Sequence, residues 1–220
     1  MEFNQSTLIP IIHASEYDSV AEEFLAAYYP DALNEPQKVP ILDIAKNELR
    51  LDVQFIPLSE EQDIYGMTIF DDGYVVIYDT EEDLYEKRFF KRKTVLIDPE
   101  AVKKTNTGCM NNTIAHECVH WFKHRMFYRM QQLILPRQAK YCKCRIEQLP
   151  FDSEEENIME NQAVGIAPRI LMPREPFIRV ARKLEAEMDL DTYAAKCVLA
   201  EFFDVSKQSV AIRLEECGIL

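Results

Sequence analysis

Nowhere does the chain approach the roughly 18 consecutive apolar residues that a membrane-crossing helix needs. No membrane segment is therefore expected in its 220 residues. The start has one short apolar run, Leu8 to Ile12, with no basic stretch before it, so no signal peptide is read there. Positive charge is also scarce: 25 Lys and Arg stand against 38 Asp and Glu, a formal net charge of −13. That balance argues against a nucleic-acid surface as the main function and for a soluble acidic protein. The six cysteines lack the spacing of a disulfide framework, which suits a reduced, cytoplasmic chain. Cys142-Lys143-Cys144 could hold a soft metal or form a redox pair, but no second pair at zinc-ribbon spacing accompanies it. It reads as unpaired thiols in a basic loop. No internal repeat or low-complexity tract is visible, and the length suits one large domain or two small ones with ample core.

Against these absences stands His116-Glu117-Cys118-Val119-His120. Four residues make about one helical turn, so His116 and His120 share a face with a rise of about 6 Å between them. Both imidazoles can then reach a single Zn²⁺, and Glu117 can lean towards the open coordination position as general base. Asn111-Asn112-Thr113 offer N-caps just before the motif, and an apolar run from Ile114 to Leu135, stopped by Pro136, puts it on a long, largely buried helix. His124 continues the same face. Its rise from His116 is about 12 Å, too far for one ion to take all three histidines, so it reads as a residue behind the ligands or at the rim.

The rest of the chain follows in order. Helical patterns cover residues 15–29 and 40–49, joined by a turn-rich link. Leu51 to Phe55, Gly66 to Phe70, Tyr74 to Tyr78 and Thr94 to Asp98 read as strands, with Asp71-Asp72-Gly73 as a hairpin signal, and together suggest a small antiparallel sheet. Lys87 to Lys93 reads as a solvated connection or helix end, its charge cancelled by the acidic run before it. Residues 137–150 read as a loop, either a cover for a cleft or a passive connector. Helices are expected at 152–172, opened by the capping pattern Ser153-Glu154-Glu155-Glu156, at 178–188, and as a helix-turn-helix-like pair, Tyr193 to Phe203 and Ser206 to Cys217.

A catalytic zinc usually has three protein ligands and one open position. Glu160, mid-helix among small and apolar residues, is the best candidate for the third, because a buried lone carboxylate is costly unless paired or metal-bound. Glu156, one turn earlier, is the fallback.

Thr113-x-x-His116-Glu117-x-x-His120-Trp121, followed by Glu160-x-x-Ala163-x-x-x-Ala167-x-x-Ile170-Leu171-Met172-Pro173, resembles the ImmA/IrrE family of metallopeptidases. The resemblance runs from the helix near Pro40 to Arg213-Leu214. It implies His116, His120 and Glu160 as zinc ligands and Glu117 as catalytic base. It also implies a zincin-like α+β fold, mainly helical with a small antiparallel sheet, over residues 1–176, and a C-terminal helical segment over 177–220. The implied activity is intracellular cleavage of a protein partner, typically a helix-turn-helix repressor of phage, mobile-element or stress genes. Cys118, Val164, Ile166 and Pro168 depart from the family's usual residues, which touches helix shape more than ligation.

Two other readings belong beside this one. A DNA-binding regulator would act through the last two helices, but Asp191 to Leu220 carries five acidic residues against three basic, the wrong balance for phosphate contacts. A structural zinc in a binding module would need a fourth ligand, for which Cys142 or Cys144 is the candidate.

Overall fold

The computed structural model describes residues 2–4, 8–105, 107–134, 141–145 and 153–220. Two short strands, β1 (Glu2–Phe3) and β2 (Pro10–Ile11), pair antiparallel and lead to α1 (Tyr17–Tyr28). Val20, Ala21, Phe24 and Leu25 recur at helical spacing along α1, and all are buried. After α2 (Asp31–Asn34), α3 (Ile41–Asp43) runs into a π turn at Ile44–Glu48 that buries Ile44 and Ala45.

Next come β3 (Asp52–Phe55), β4 (Ile64–Ile69), β5 (Gly73–Asp79), β6 (Leu84–Phe90) and β7 (Thr94–Ile97). The α+β class holds, and the small sheet is mixed. Its order is β3-β7-β4-β8, where β8 (Tyr141–Arg145) comes from the stretch read as a loop. β3 runs parallel to β7, while β4 is antiparallel to both its neighbours, β7 and β8. Asp71-Asp72-Gly73 does not close a hairpin between its flanking strands. β5 pairs instead with β6, from Gly73 opposite Phe90 to Asp79 opposite Leu84. Burial explains the choice: β4 is buried along almost its whole length, as a central strand must be, whereas β5 alternates and suits a half-exposed ribbon. Lys87 to Phe90 thus lies in a strand, not in a connection or helix end, and Arg88 pairs with Glu86 on it. Met67 and Ile69 of β4 join Val75, Ile77 and Phe90 of the ribbon in a satellite core. Gly66 and Thr68, on the opposite face, are left to meet the helices.

Asp98 closes β7 and opens α4 (Pro99–Thr105). One carboxylate oxygen accepts from the Glu100 and Ala101 amides, and the other from the Leu58 amide. The motif helix follows as α5 (Thr107–Val119), a π turn at His120–His124, and α6 (Arg125–Ile134). Asn111 to Thr113 sit inside α5 instead of capping it. Asn111 donates to the Asp204 carbonyl at 2.9 Å and Thr113 back-bonds to the Cys109 carbonyl at 2.9 Å, so tertiary and local partners satisfy side chains that would otherwise favour a helix start. Gly108 lets α5 approach so closely that an added Cβ would run into the backbone of Val205 and Ser206.

α7 (Glu154–Leu171) is capped by Ser153, whose hydroxyl accepts the Glu156 amide at 3.1 Å, and buries Met159, Ala163, Ile166, Ala167 and Ile170. α8 (Arg174–Glu185) starts four residues before the expected position. Pro176 lies in its first turn, where a missing N–H costs no hydrogen bond. α9 (Tyr193–Phe203) and α10 (Lys207–Glu216) follow, capped by Thr192 and Ser206. From α10, buried Arg213 donates to the Met172 carbonyl at 3.1 Å and pairs with Asp18 of α1, joining the last helix to the first. Of the expected 137–150 loop, residues 137–140 and 146–150 lie outside the described residues. Among the described residues, no helix is long and apolar enough to cross a membrane.

Candidate metal centre

α5, the π turn that continues it and α7 pack side by side and bring three donors together. His116 Nε2 lies 2.9 Å from His120 Nε2 and 2.9 Å from Glu160 Oε2. His120 Nε2 lies 3.1 Å from Glu160 Oε1. All three residues are buried. Glu156, the fallback, is not among the donors that converge here among the described residues.

The donor set fits a cation. Two imidazole nitrogens that face each other need something positive between them, and a carboxylate completes the demand. A triangle of this size accommodates one small divalent ion at about 2.0–2.1 Å from each atom, the ordinary range for zinc. The electrostatics agree. Burial pushes the Glu160 carboxyl up, but His120 and His116 outweigh it and hold the group well below the usual carboxylate range. Burial opposes charge on His116, yet Cys144 and Glu160 beside it draw its pKa well above the ordinary value. The pocket therefore asks for a positive charge facing Glu160, which a proton or a metal ion can supply.

Glu117 points at the sheet side of this pocket. Its Oε2 accepts a hydrogen bond from Thr68 Oγ1 at 2.7 Å, while Oε1 has no hydrogen-bond partner among the described residues. Room for Oε1 comes from β4: a Cβ on Gly66 would sit 2.7 Å from it. Burial raises the Glu117 pKa to about 8, against the lowering effects of His116 and Thr68. A carboxyl tuned this way takes and returns a proton near neutrality.

His124 is fully buried behind the triangle, not at its rim, and a chain of hydrogen bonds fixes its state. Gln162 Nε2 donates to the Pro10 carbonyl at 2.9 Å, which leaves Gln162 Oε1 as an acceptor. His124 Nε2 must then donate to that oxygen, 2.9 Å away. His124 Nδ1 is left with a lone pair and accepts from His120 Nδ1 at 2.9 Å. His120 thereby carries its proton on Nδ1 and presents the Nε2 lone pair to His116 and Glu160. Burial pulls His124 well below its ordinary pKa and keeps it neutral in this chain.

Spacing on the helix pointed to His116, Glu117 and His120, and burial logic to Glu160. Thr68, Gly66 and Gln162 went unread, since each acts through a long-range contact with no local pattern. Cys144 was read as a loop thiol or, with Cys142, as a candidate fourth ligand of a structural zinc; in the structure it lies on β8, its thiol within 4.8 Å of donor atoms of His116 and Glu117.

A mainly helical α+β domain with a buried His-Glu-x-x-His pair and a distant glutamate defines a metallopeptidase-type domain. Residues 47–215 match the peptidase family described as the IrrE N-terminal-like domain, and the chain belongs to that ImmA/IrrE family. No curated protein matches it at a significant level. Among solved structures, a Mycobacterium tuberculosis transcriptional regulator is similar, with a TM-score of 0.48 and 14% identity over 91% of this chain and 46% of that one. The present chain thus spans less than half the length of that protein.

Proposed function

We propose that the chain is a zinc-dependent endopeptidase that cleaves a protein substrate, with His116, His120 and Glu160 as ligands and Glu117 as general base. The observation that carries this reading is the buried donor triangle with an unpartnered carboxylate oxygen beside it. A bound zinc supplies Lewis acidity at this point. Glu117 Oε1 takes the proton of the attacking water and hands it to the leaving nitrogen, while Thr68 holds Oε2 in place. His124 and Gln162 hold His120 in the tautomer that offers Nε2. Family membership supports a helix-turn-helix repressor of phage, mobile-element or stress genes as the class of substrate, cleaved inside the cell.

Elemental analysis of the purified chain tests the ligands: one zinc per chain is expected, lost in His116→Ala and Glu160→Ala. Glu117→Gln is expected to keep the zinc and lose cleavage of a repressor substrate. Wild-type cleavage by Glu117→Gln would overturn the mechanism.

A further inference from the structure

The run Lys87 to Lys93, two aromatics among basic residues, has no part in the mechanism. Most of it lies on the β5–β6 ribbon, and the register decides which side chains share a face. Residues directly opposite one another in an antiparallel pair point to the same side. Tyr74 opposite Phe89, Val76 opposite Lys87 and Tyr78 opposite Tyr85 therefore stand together on one face. Val75, Ile77 and Phe90 point the other way, into the satellite core against β4. The outer face is open: Tyr74 is 67% exposed, and Val76, Tyr85 and Phe89 are each close to half exposed. Its rings stand in pairs. Tyr74 and Phe89 meet edge to face at 5.4 Å. Tyr78 and Tyr85 are tilted at 5.3 Å, about 13 Å further along the strands. The Glu60 amide donates to the Tyr85 hydroxyl at 3.1 Å, and the Tyr78 hydroxyl donates to Asp83, so two of the four rings are already held.

A contiguous exposed face of this kind marks an interaction site, and tyrosine is among the residues that carry most binding energy in protein interfaces. Rings already held lose little freedom on contact. Charge selects the partner. The turn between the strands and the connection beside it carry Glu60, Glu61, Glu81, Glu82 and Asp83, all exposed. The cations at the other end of the ribbon are engaged: Arg92 and Lys93 lie over the Trp121 ring, 5.5 and 5.6 Å from its centroid. Phosphates would meet the acidic end unfavourably, which argues against nucleic acid. A second copy packed face to face would set like charges against each other. A segment with lysines or arginines beside apolar side chains satisfies both the rings and the carboxylates. Met67 and Ile69 hold the ribbon on the face of β4 opposite Gly66 and Thr68, so a partner docked there leaves the Glu117 side free.

We propose that the outer face of the β5–β6 ribbon is a docking surface for a basic protein segment, gripped by the four rings and by the acidic end of the ribbon. Such docking stands apart from the peptidase reading, since it uses no residue of the metal centre.

Titration of a fluorescein-labelled lysine–leucine peptide with the full chain, read by anisotropy, tests this surface. Saturable binding is expected to wild type and to Glu117→Gln alike. Tyr74→Thr with Tyr85→Thr should weaken it at least tenfold. Glu81→Gln with Glu82→Gln, which leaves every ring in place, should do the same. All four positions are exposed, and far-ultraviolet circular dichroism should show the wild-type fold. Glu201→Gln with Glu215→Gln, the same charge change on α9 and α10, should alter binding less than about twofold. No saturable binding by wild type, unchanged binding by either ribbon pair, or an equal loss in the Glu201 and Glu215 variant would overturn the docking surface. Tighter binding of oligothymidylate than of the peptide, lost in the Tyr74 and Tyr85 variant, would overturn it in favour of a nucleic-acid platform.

Discussion

Replacing His124 with leucine tests whether the hydrogen-bond chain behind the site sets the chemistry of His120. Leucine fills similar space but leaves His120 Nδ1 and Gln162 Oε1 without their 2.9 Å partners in a fully buried place. Each buried polar atom left unpaired costs about 1–3 kcal/mol, so with two such atoms the metal-free protein is expected to lose about 2–6 kcal/mol of stability. The sharper effect falls on the metal. With no acceptor at its Nδ1, His120 is free to carry its proton on Nε2, the atom that faces His116 and Glu160. Loss of such an outer partner typically weakens metal binding 10–100-fold, or about 1.4–2.7 kcal/mol. Glutamine at the same position can accept from His120 and donate to Gln162, so His124→Gln is expected to recover most of the affinity. Competition against a chromogenic chelator reads the metal term, and urea denaturation of the metal-free proteins reads the folding term. A folded His124→Leu protein that holds zinc as tightly as wild type would show that the tautomer of His120 does not depend on this chain.

Three further outcomes follow from the same geometry. Thr68→Val removes the 2.7 Å hydrogen bond to Glu117 Oε2, which favours the charged form. The Glu117 pKa in the metal-free protein should therefore move higher still than about 8, as read by isotope-edited NMR titration; an unchanged or lower value would refute the assignment. Gly66→Ala would place a Cβ 2.7 Å from Glu117 Oε1 and 3.0 Å from Thr113 Cγ2 and should cut cleavage at least tenfold while zinc stays bound, since the base and Thr113 must give way but no ligand is met. Asp18→Asn leaves Arg213, 1% exposed, with Glu216 as its remaining carboxylate, and should cost about 2–3 kcal/mol at neutral pH. Arg213 holds the Asp18 pKa below its ordinary 3.8 despite burial, so its contribution is fully present above that value and is lost as pH falls through the lower folded one. The acid limb of wild-type unfolding should therefore be steeper than that of Asp18→Asn.

The helices were the most legible part of the fold. α1, α9 and α10 fall within about two residues of their expected spans, because apolar periodicity and capping side chains are local signals. The positions of β3, β4, β5 and β7 were legible too, but β6 and β8 were read as a connection and a loop, and strand partners were not legible. Nothing near Asp71-Asp72-Gly73 tells β4 that its edges will be claimed by β7 and β8, a choice made by burial of the whole strand. The candidate site divides the same way. His116, Glu117 and His120 announce themselves by spacing, and Glu160 by its apolar surroundings. Gln162 is set by the Pro10 carbonyl 152 residues away and leaves no mark on the sequence around it, whereas the Cys142-x-Cys144 spacing was visible but only the pairing of Cys144 with Gly66 brings that thiol to the site.

The π turn at His120–His124 has a mechanical effect of its own. It is wound one residue wider than the helix on either side, and one residue is worth about 100° of rotation. Downstream, α6 turns Phe127 and Tyr128 inward, with the Tyr128 ring stacked 4.0 Å from Phe70, and leaves Arg125, Met126 and Arg129 in water. The widened turn works as a phase adjuster: a single rod faces the paired helix with its first half and the end of β4 with its second. Deleting one residue there would leave His116 and Glu117 where they are and swing the charged side of α6 onto Phe70.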